Sequence, residues 1–253
     1  MVASYEGVLV KNVLGVPVHA MTIEQVLDRI DGAISERKPL HIGVVNAAKV
    51  VNMTRDPMLR KDVLSSDIVL ADGAAIVWAG RLLGQGLPER VAGIDLMYGI
   101  FCRGQAKRYR VYCLGATEEI SEKVAHQLAA DYPGVILAGR RNGYFSEEEE
   151  EAVANDIAAS KADVLLVAMT SPKKENFMAR WNDTMKVPVC HGVGGSFDVM
   201  AGKVERAPEL WQKYGFEWLY RVKQEPGRLG KRYLTTNAMF AWLVVKAWLG
   251  RKS

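Results

Sequence analysis

The sequence predicts an α/β protein built on a parallel sheet. Two observations carry this: short apolar runs bounded by turn residues alternate with longer segments of helical period, and the alternation persists along most of the 253 residues. At 49% hydrophobic, the chain is long enough to bury a sizeable core in one large domain or two small ones.

The expected strands are Gly7–Val18, His41–Val45, Ile68–Leu70, Arg110–Leu114, Val135–Gly139, Val164–Ala168 and Val187–Val193. Expected helices begin at Thr22, Asn46, Gly73, Ile94, Thr117, Ser146, Pro172 and Ser196. Thr22 has Gln25 three residues on, the spacing of a capping box. Ser146 precedes the run Glu147–Glu151, and carboxylates at a helix start favour its dipole, so that run reads as a capped, solvated N-terminus. The stretch "RGQAKRY" sets a soft boundary. It divides an N-terminal α/β half (residues 1–105) from a Rossmann-like, nucleotide-binding half with a doubly wound sheet (residues 106–210). Residues 211–253 form a basic, apolar C-terminal appendage.

Charge is unevenly spread. From Arg221 onward eight Lys/Arg stand against Glu225 alone, so the tail carries +7 of a net +4 and leaves −3 for residues 1–220. A basic tail on a mildly acidic body points to a local anionic partner, phosphate or a membrane surface, and away from a nucleic-acid groove along the chain. The apolar run Ala238–Leu249 would be about 20 Å long as a helix, short of a roughly 30 Å hydrocarbon core. Trp242 and Trp248, with flanking cations, fit a segment lying in the membrane interface. A buried C-terminal helix or a contact between copies of the chain is the alternative. Three widely spaced cysteines exclude a disulfide framework, and the N-terminus lacks the pattern of a signal peptide, so a reducing cytoplasmic setting is expected.

In an open parallel sheet, ligands gather at the carboxyl ends of strands. Four loops have that form: "LADGAA" with Asp72, "YCLGATEE" with Gly115, "VAMTSPKKEN" with Lys174, and "CHGVGGSFDVMAG" with Gly194 and Gly195. Their glycines let a diphosphate approach the backbone, although each also serves as a plain strand-to-helix turn. Gly192-x-Gly194-Gly195 departs from the dinucleotide fingerprint and no ribose-binding acid follows it, which disfavours a nucleotide-dependent oxidoreductase. An aspartate before glycine is commonly only an N-cap, but apolar neighbours on both sides of Asp72 partly desolvate its carboxylate, which suits a general base. No DxD pair occurs, and His19, His41, His126 and His191 show no metal-ligand spacing, so neither a metal nor a cofactor is expected. A lone His191 beside Cys190 reads as core or wall.

The sequence resembles the WecG/TagA/CpsF glycosyltransferases, glycosyltransferase family 26. The resemblance runs through "VLGVPVHAMTIEQVL", "VNAAKVV", "ADGAAIV", "LPERVAGIDLM", "LGATEE", "NGYF", "SPKKE" and the long block "GVGGSFDVMAGKVERAPELWQKYGFEWLYRVKQEPGRLGKRYL". It implies an inverting, metal-independent transfer of a sugar from a UDP-sugar to an undecaprenyl-diphosphate-linked sugar. The donor favoured is N-acetylmannosamine or its uronate, and the setting is the cytoplasmic face of the plasma membrane during surface polysaccharide synthesis. Asp72 then matches the family's general base, Asn46 an active-site asparagine and Arg90 an active-site arginine. Gly115, Tyr144, Gly194, Gly195 and Lys174 fall on the substrate side. Arg221 and Arg228 match arginines of the appendage that reach toward diphosphate, and the third such position is Lys231. Two other positions depart from relatives: Val44 stands where some have threonine, and Lys174 where glutamine is usual. A lysine there suits a sugar carboxylate. A hexose donor such as UDP-glucose, a non-enzymatic membrane-docking protein and a homo-oligomer are the alternatives carried forward.

Overall fold

The computed structural model describes residues 7–250. The first apolar run folds as a hairpin, β1 (Val10–Val13) and β2 (Val16–His19), where one strand was expected over Gly7–Val18. The reason is local. Leu14 and Gly15 both take positive φ, 54° and 77°, in the two-residue turn whose twist suits a hairpin, and Gly15 N–H donates to Asn12 Oδ1 at 2.8 Å.

The chain continues through α1 (Ile23–Glu36), β3 (Leu40–Val45), α2 (Ala47–Met53), α3 (Pro57–Leu64), β4 (Ile68–Ala71), α4 (Ala74–Leu82) and α5 (Gly93–Lys107). Then come β5 (Arg110–Gly115), α6 (Glu118–Asp131), β6 (Ile136–Arg141), α7 (Glu150–Ala159), β7 (Val164–Ala168), α8 (Lys173–Met185), β8 (Val189–Gly192) and α9 (Ser196–Met200). Three helices close the chain: α10 (Glu209–Lys213), α11 (Glu217–Gln224) and α12 (Pro226–Leu249). The six later strands agree with expectation to within two residues at either end. Thr22 makes the reciprocal cap with Gln25 that the spacing predicts. Helix α3 was not anticipated, although Asp56 followed by Pro57 is a good start signal: Asp56 Oδ1 accepts from Leu59 N–H. Helix α7 begins at Glu150, four residues after the predicted cap. Ser146 N–H donates to Glu149 Oε2, and Glu150 is buried, accepting from Trp181 Nε1 at 2.8 Å, so the acidic run is not uniformly solvated.

Six strands form one sheet in the order β4-β3-β8-β7-β5-β6, every pair parallel. Strand β3 bonds to β8, with Leu40 opposite Val189 and Ile42 opposite His191, so strands from residues 1–105 and 106–210 share this sheet. Strands β4, β7 and β8 are buried at every position, as a sheet covered on both faces requires. One face packs Ile42, Leu70, Val111 and Leu166 against α1, α5 and α6. On the other, Val45 and Val69 meet α2, α3 and α4, and Leu165 and Val167 meet α7 and α8. The outer edge of β4 is protected by β2, whose His19 Nδ1 accepts from Val69 N–H at 3.0 Å.

Helix α12 buries one stripe only. Phe240 and Val244 join Val50, Val51 and Met53 of α2, while Leu234, Trp242, Val245 and Leu249 are exposed. Among the described residues no helix is long and apolar enough to cross a membrane.

Gly115, the last residue of β5, has φ +126°, and a Cβ there would lie 2.5 Å from the Ala168 backbone at the end of β7. Replacement Gly115→Ala should therefore lower unfolding free energy by about 2 kcal/mol or more, measured by urea denaturation, because strain and overlap act together.

Candidate active site

Parallel strands bring all their carboxyl ends to one edge, and Asn46, Asp72, Gly115 and Gly194 all emerge there. Asp72 follows β4 directly, and its N–H continues the sheet by donating to Val45 O at 3.0 Å. Its carboxylate does cap a helix, but not the one beside it in sequence. Helix α4 starts behind Gly73 without a side-chain cap, whereas Asp72 Oδ1 accepts from Gly93 N–H, the first residue of α5, at 2.9 Å. The positive end of α5 thus holds one oxygen of a half-buried carboxylate. The other, Oδ2, meets Asn46 Nδ2 at a long 3.5 Å. Asn46 is itself fixed as the N-cap of α2, its Oδ1 accepting from Lys49 N–H at 3.0 Å, which turns its amide nitrogen toward Asp72.

His191, fully buried on β8, lies behind this pair. Its Nε2 is 3.2 Å from Gly93 O, and burial pushes its pKa down to about 4, so it stays neutral as part of the wall.

Beneath the β8 loop sits a buried charge cluster. Lys49 Nζ lies 2.8 Å from Glu175 Oε1 and Lys174 Nζ lies 3.5 Å from the same oxygen; both lysines are 8% exposed and Glu175 is 5%. Burial, then the neighbouring Lys49, lowers the Lys174 pKa to about 8. Burial opposes ionisation of Glu175 as well, but the two ammonium groups outweigh it and hold the carboxyl well below the usual carboxylate range. The Lys174 Nζ is 3.6 Å from the position a Cβ would take on Gly194, which puts its charge against the glycine turn. With Val44, Gly192 and Asp62, these three charged residues line a small, partly open pocket.

A third group comes from the C-terminal segment. The loop carrying Arg90 is anchored beside Asp72 by Val91 N–H donating to Ala71 O at 2.9 Å. Arg90 Nη1 is 3.1 Å from Glu217 Oε2 of α11, and Arg221 Nη2 is 3.3 Å from Glu217 Oε1. Arg90 also faces Asp95 at 3.5 Å, and Asp95 pairs with Arg206. Arg221 Nη1 reaches to 3.8 Å from the Cβ position of Gly195. The turn between α10 and α11 is seated on α4: at Gly215, φ +74°, a Cβ would meet Ala74 Cβ at 2.6 Å and the Trp78 ring at 3.0 Å.

The edge therefore gathers Asn46, Asp72, Arg90, Lys174, Gly194, Gly195 and Arg221 at its β4-β3-β8 end. Gly115 and Tyr144 lie further along the same edge. Strand β7 intervenes between β8 and β5, and Tyr144, 78% exposed, stands at the β6 end of the edge. Lys231 is exposed on α12, and the side chain of Arg228 lies outside the described residues. Lys49, Glu175, Gly93 and Glu217 were not singled out from sequence. Faint signals existed: a lysine inside the apolar "NAAKVV", adjacent charges in "SPKKE", and an i,i+4 pair of Glu217 with Arg221.

The edge of the parallel sheet thus holds a half-buried carboxylate with one oxygen bonded to Gly93 N–H and the other in only a long contact with Asn46, in company with lysines and arginines. Residues 11–253 match the model of the Glycosyl transferase WecG/TagA/CpsF family, and the chain belongs to that family. It is a glycosyltransferase. It is 32% identical over 195 residues, 77% of this chain and 75% of the relative, to the N-acetylglucosaminyldiphosphoundecaprenol N-acetyl-beta-D-mannosaminyltransferase of Bacillus spizizenii (strain ATCC 23059 / NRRL B-14472 / W23).

Two stability measurements test the buried cluster. Lys49→Met leaves Glu175 with the longer Lys174 contact as its remaining ion pair and should destabilise by about 3 kcal/mol in urea titration. The Lys174 pKa is lower in the folded than in the unfolded chain, so the unfolded state binds more protons between about pH 8 and the ordinary lysine value of 10.5. Stability of wild type relative to Lys174→Gln should accordingly rise across that window, by on the order of 2 kcal/mol, and be level below it.

Proposed function

We propose that this glycosyltransferase moves N-acetylmannosamine, or its uronate, from a UDP-sugar to an undecaprenyl-diphosphate-linked sugar, with inversion at the anomeric carbon and without a metal. The observation that carries the reading is the asymmetric carboxylate of Asp72, bonded through Oδ1 to Gly93 N–H while Oδ2 keeps only a long contact with Asn46. The acceptor hydroxyl gives its proton to Oδ2 as its oxygen forms a bond to the anomeric carbon; the bond from that carbon to the UDP phosphate oxygen breaks, and the electron pair leaves with UDP. Attack opposite the leaving group inverts the centre. Asn46 orients the carboxylate, and the charge developing on UDP is met by Arg90, Arg221 and Lys174 beside the Gly194–Gly195 turn.

The lipid-linked acceptor is supported by the relative's activity on a diphosphoundecaprenol substrate. The C-terminal segment supports work at a membrane surface, at the inner face of the plasma membrane. Trp211, Tyr214, Phe216, Trp218 and Trp242 are exposed on it, and Lys246 Nζ sits 5.1 Å from the Trp242 ring. Association there places the closing turn at Gly215 near the lipid-borne substrate.

Transfer to a short-chain prenyl-diphosphate sugar, assayed with a panel of UDP-sugars and with EDTA present, tests this reading. Turnover should survive EDTA, and Asp72→Asn should lose at least about a hundredfold in kcat. Full activity of that variant would remove Asp72 from the chemistry.

The protonated state of Lys174 supplies a second test. Its pKa of about 8 predicts that kcat/KM declines above pH 8 as the ammonium loses its proton, and that Lys174→Gln removes this alkaline limb. If the same ammonium meets a uronate, the variant loses more on the acidic donor than on the neutral one; equal losses on both would set the uronate aside.

A further inference from the structure

Arg90 and Arg221 are not bare cations waiting for a diphosphate. A single carboxylate, Glu217, has one oxygen on each guanidinium, Oε2 at 3.1 Å from Arg90 and Oε1 at 3.3 Å from Arg221. Glu217 and Arg90 are well shielded, with side chains 15% and 17% exposed, and Arg221 is more open at 31%. Glu217 is the first residue of α11, where the helix dipole also favours its charge. It comes from the segment whose turn at Gly215 is pressed onto Ala74 and Trp78, two and six residues beyond Asp72. A carboxylate shared by two guanidiniums takes the place that the oxygens of a phosphate would take, since both present paired acceptors to the arginine fork.

We infer that Glu217 is an internal counter-ion standing where the diphosphate of a substrate binds, and that an anionic ligand enters by exchanging with its carboxylate on Arg90 and Arg221. The inference rests on the reading of those arginines as diphosphate ligands. Without Glu217, the shielded Arg90 would keep only the longer contact with Asp95 and the more open Arg221 would lose its carboxylate partner, an arrangement that partial burial penalises. A diphosphate carries more charge than one carboxylate and offers more acceptor oxygens, so it wins the exchange when present. The carboxylate then competes with every anion that enters. Removing its charge must tighten anion binding, whereas loss of a mere brace would loosen the arginines and weaken it.

The measurement is calorimetric titration of the full chain with inorganic pyrophosphate at fixed ionic strength, for wild type, Glu217→Gln, Glu217→Asp and Glu217→Gln combined with Arg221→Ala. Glu217→Gln should bind about tenfold tighter than wild type or better, Glu217→Asp should stay within about threefold of wild type, and the double variant should lose the gain. Where the glutamine variant does not fold, Glu217→Ala removes the same charge and suits a first helical turn, with the same gain expected. Unchanged or weaker binding by a folded charge-removed variant overturns the inference. An equal gain from Glu217→Asp overturns it too, because charge would not then be the cause. Failure of the transferase reading looks different: if Arg221→Ala abolishes the pyrophosphate gain yet leaves sugar transfer intact, the counter-ion stands and Arg221 leaves the reaction. If Arg221→Ala impairs transfer while Glu217→Gln leaves pyrophosphate affinity unchanged, the counter-ion falls alone.

Discussion

A parallel sheet buried on both faces allows its chain few places to expose a polar group, and here six parallel strands send all their carboxyl ends to the same edge. The faces are filled by aliphatic side chains packed against helices, so a charged group there would be stranded without water or a partner. At the edge, strands end and helices begin, leaving backbone N–H groups that side chains must satisfy. Asn46 and Asp72 answer that need at α2 and α5, and in doing so they fix each other. Asn46 commits its oxygen to Lys49 N–H and can only offer nitrogen to Asp72; Asp72 commits Oδ1 to Gly93 and is left with Oδ2 in a long contact with Asn46. A capping requirement of the fold thus becomes a directed carboxylate.

The cations follow the same logic of compensation. Two lysines share one glutamate below the glycine turn, and two arginines share another above it. Each trio holds two positive charges to one negative, with Asp95 also facing Arg90. Such an arrangement compensates most of its charge internally, at a cost to its buried members. Lys174, the least comfortable member, shows this in its lowered pKa: burial and Lys49 act against its charge, and Glu175 and Asp72 act for it. An added anion beside it would tip that balance toward the ammonium.

How far the sequence discloses this depends on the separation of the partners. The cap of Thr22 by Gln25 is three residues long and was readable, as were the strand ends that expose Asn46 and Asp72. That Asp72 would hold α5, 21 residues on, and not α4 beside it, depends on where the sheet delivers Gly93. Lys49 and Glu175 are 126 residues apart, and Arg90 and Glu217 are 127 apart; neither pair has any local signature, because only the β3-β8 pairing and the return of α11 bring them together. The hairpin at Leu14–Gly15 was misread for the opposite reason. Its signal, Asn12 with a glycine three residues on, was local, but the apolar run around it masked the turn.

The C-terminal segment does more than extend the chain past the sheet. Its long helix is tied to the body by one stripe, Phe240 and Val244 on α2, the same short helix that Asn46 caps. Its preceding turn lies against α4, whose first residues follow Asp72. The segment is therefore anchored to α2, which Asn46 caps, and to α4, which follows Asp72 in the chain. Gly215 marks where that contact is tightest. A side chain there would have to push Ala74 or Trp78 aside, so the residue is glycine because the segment closes directly on the helix that begins beside the carboxylate.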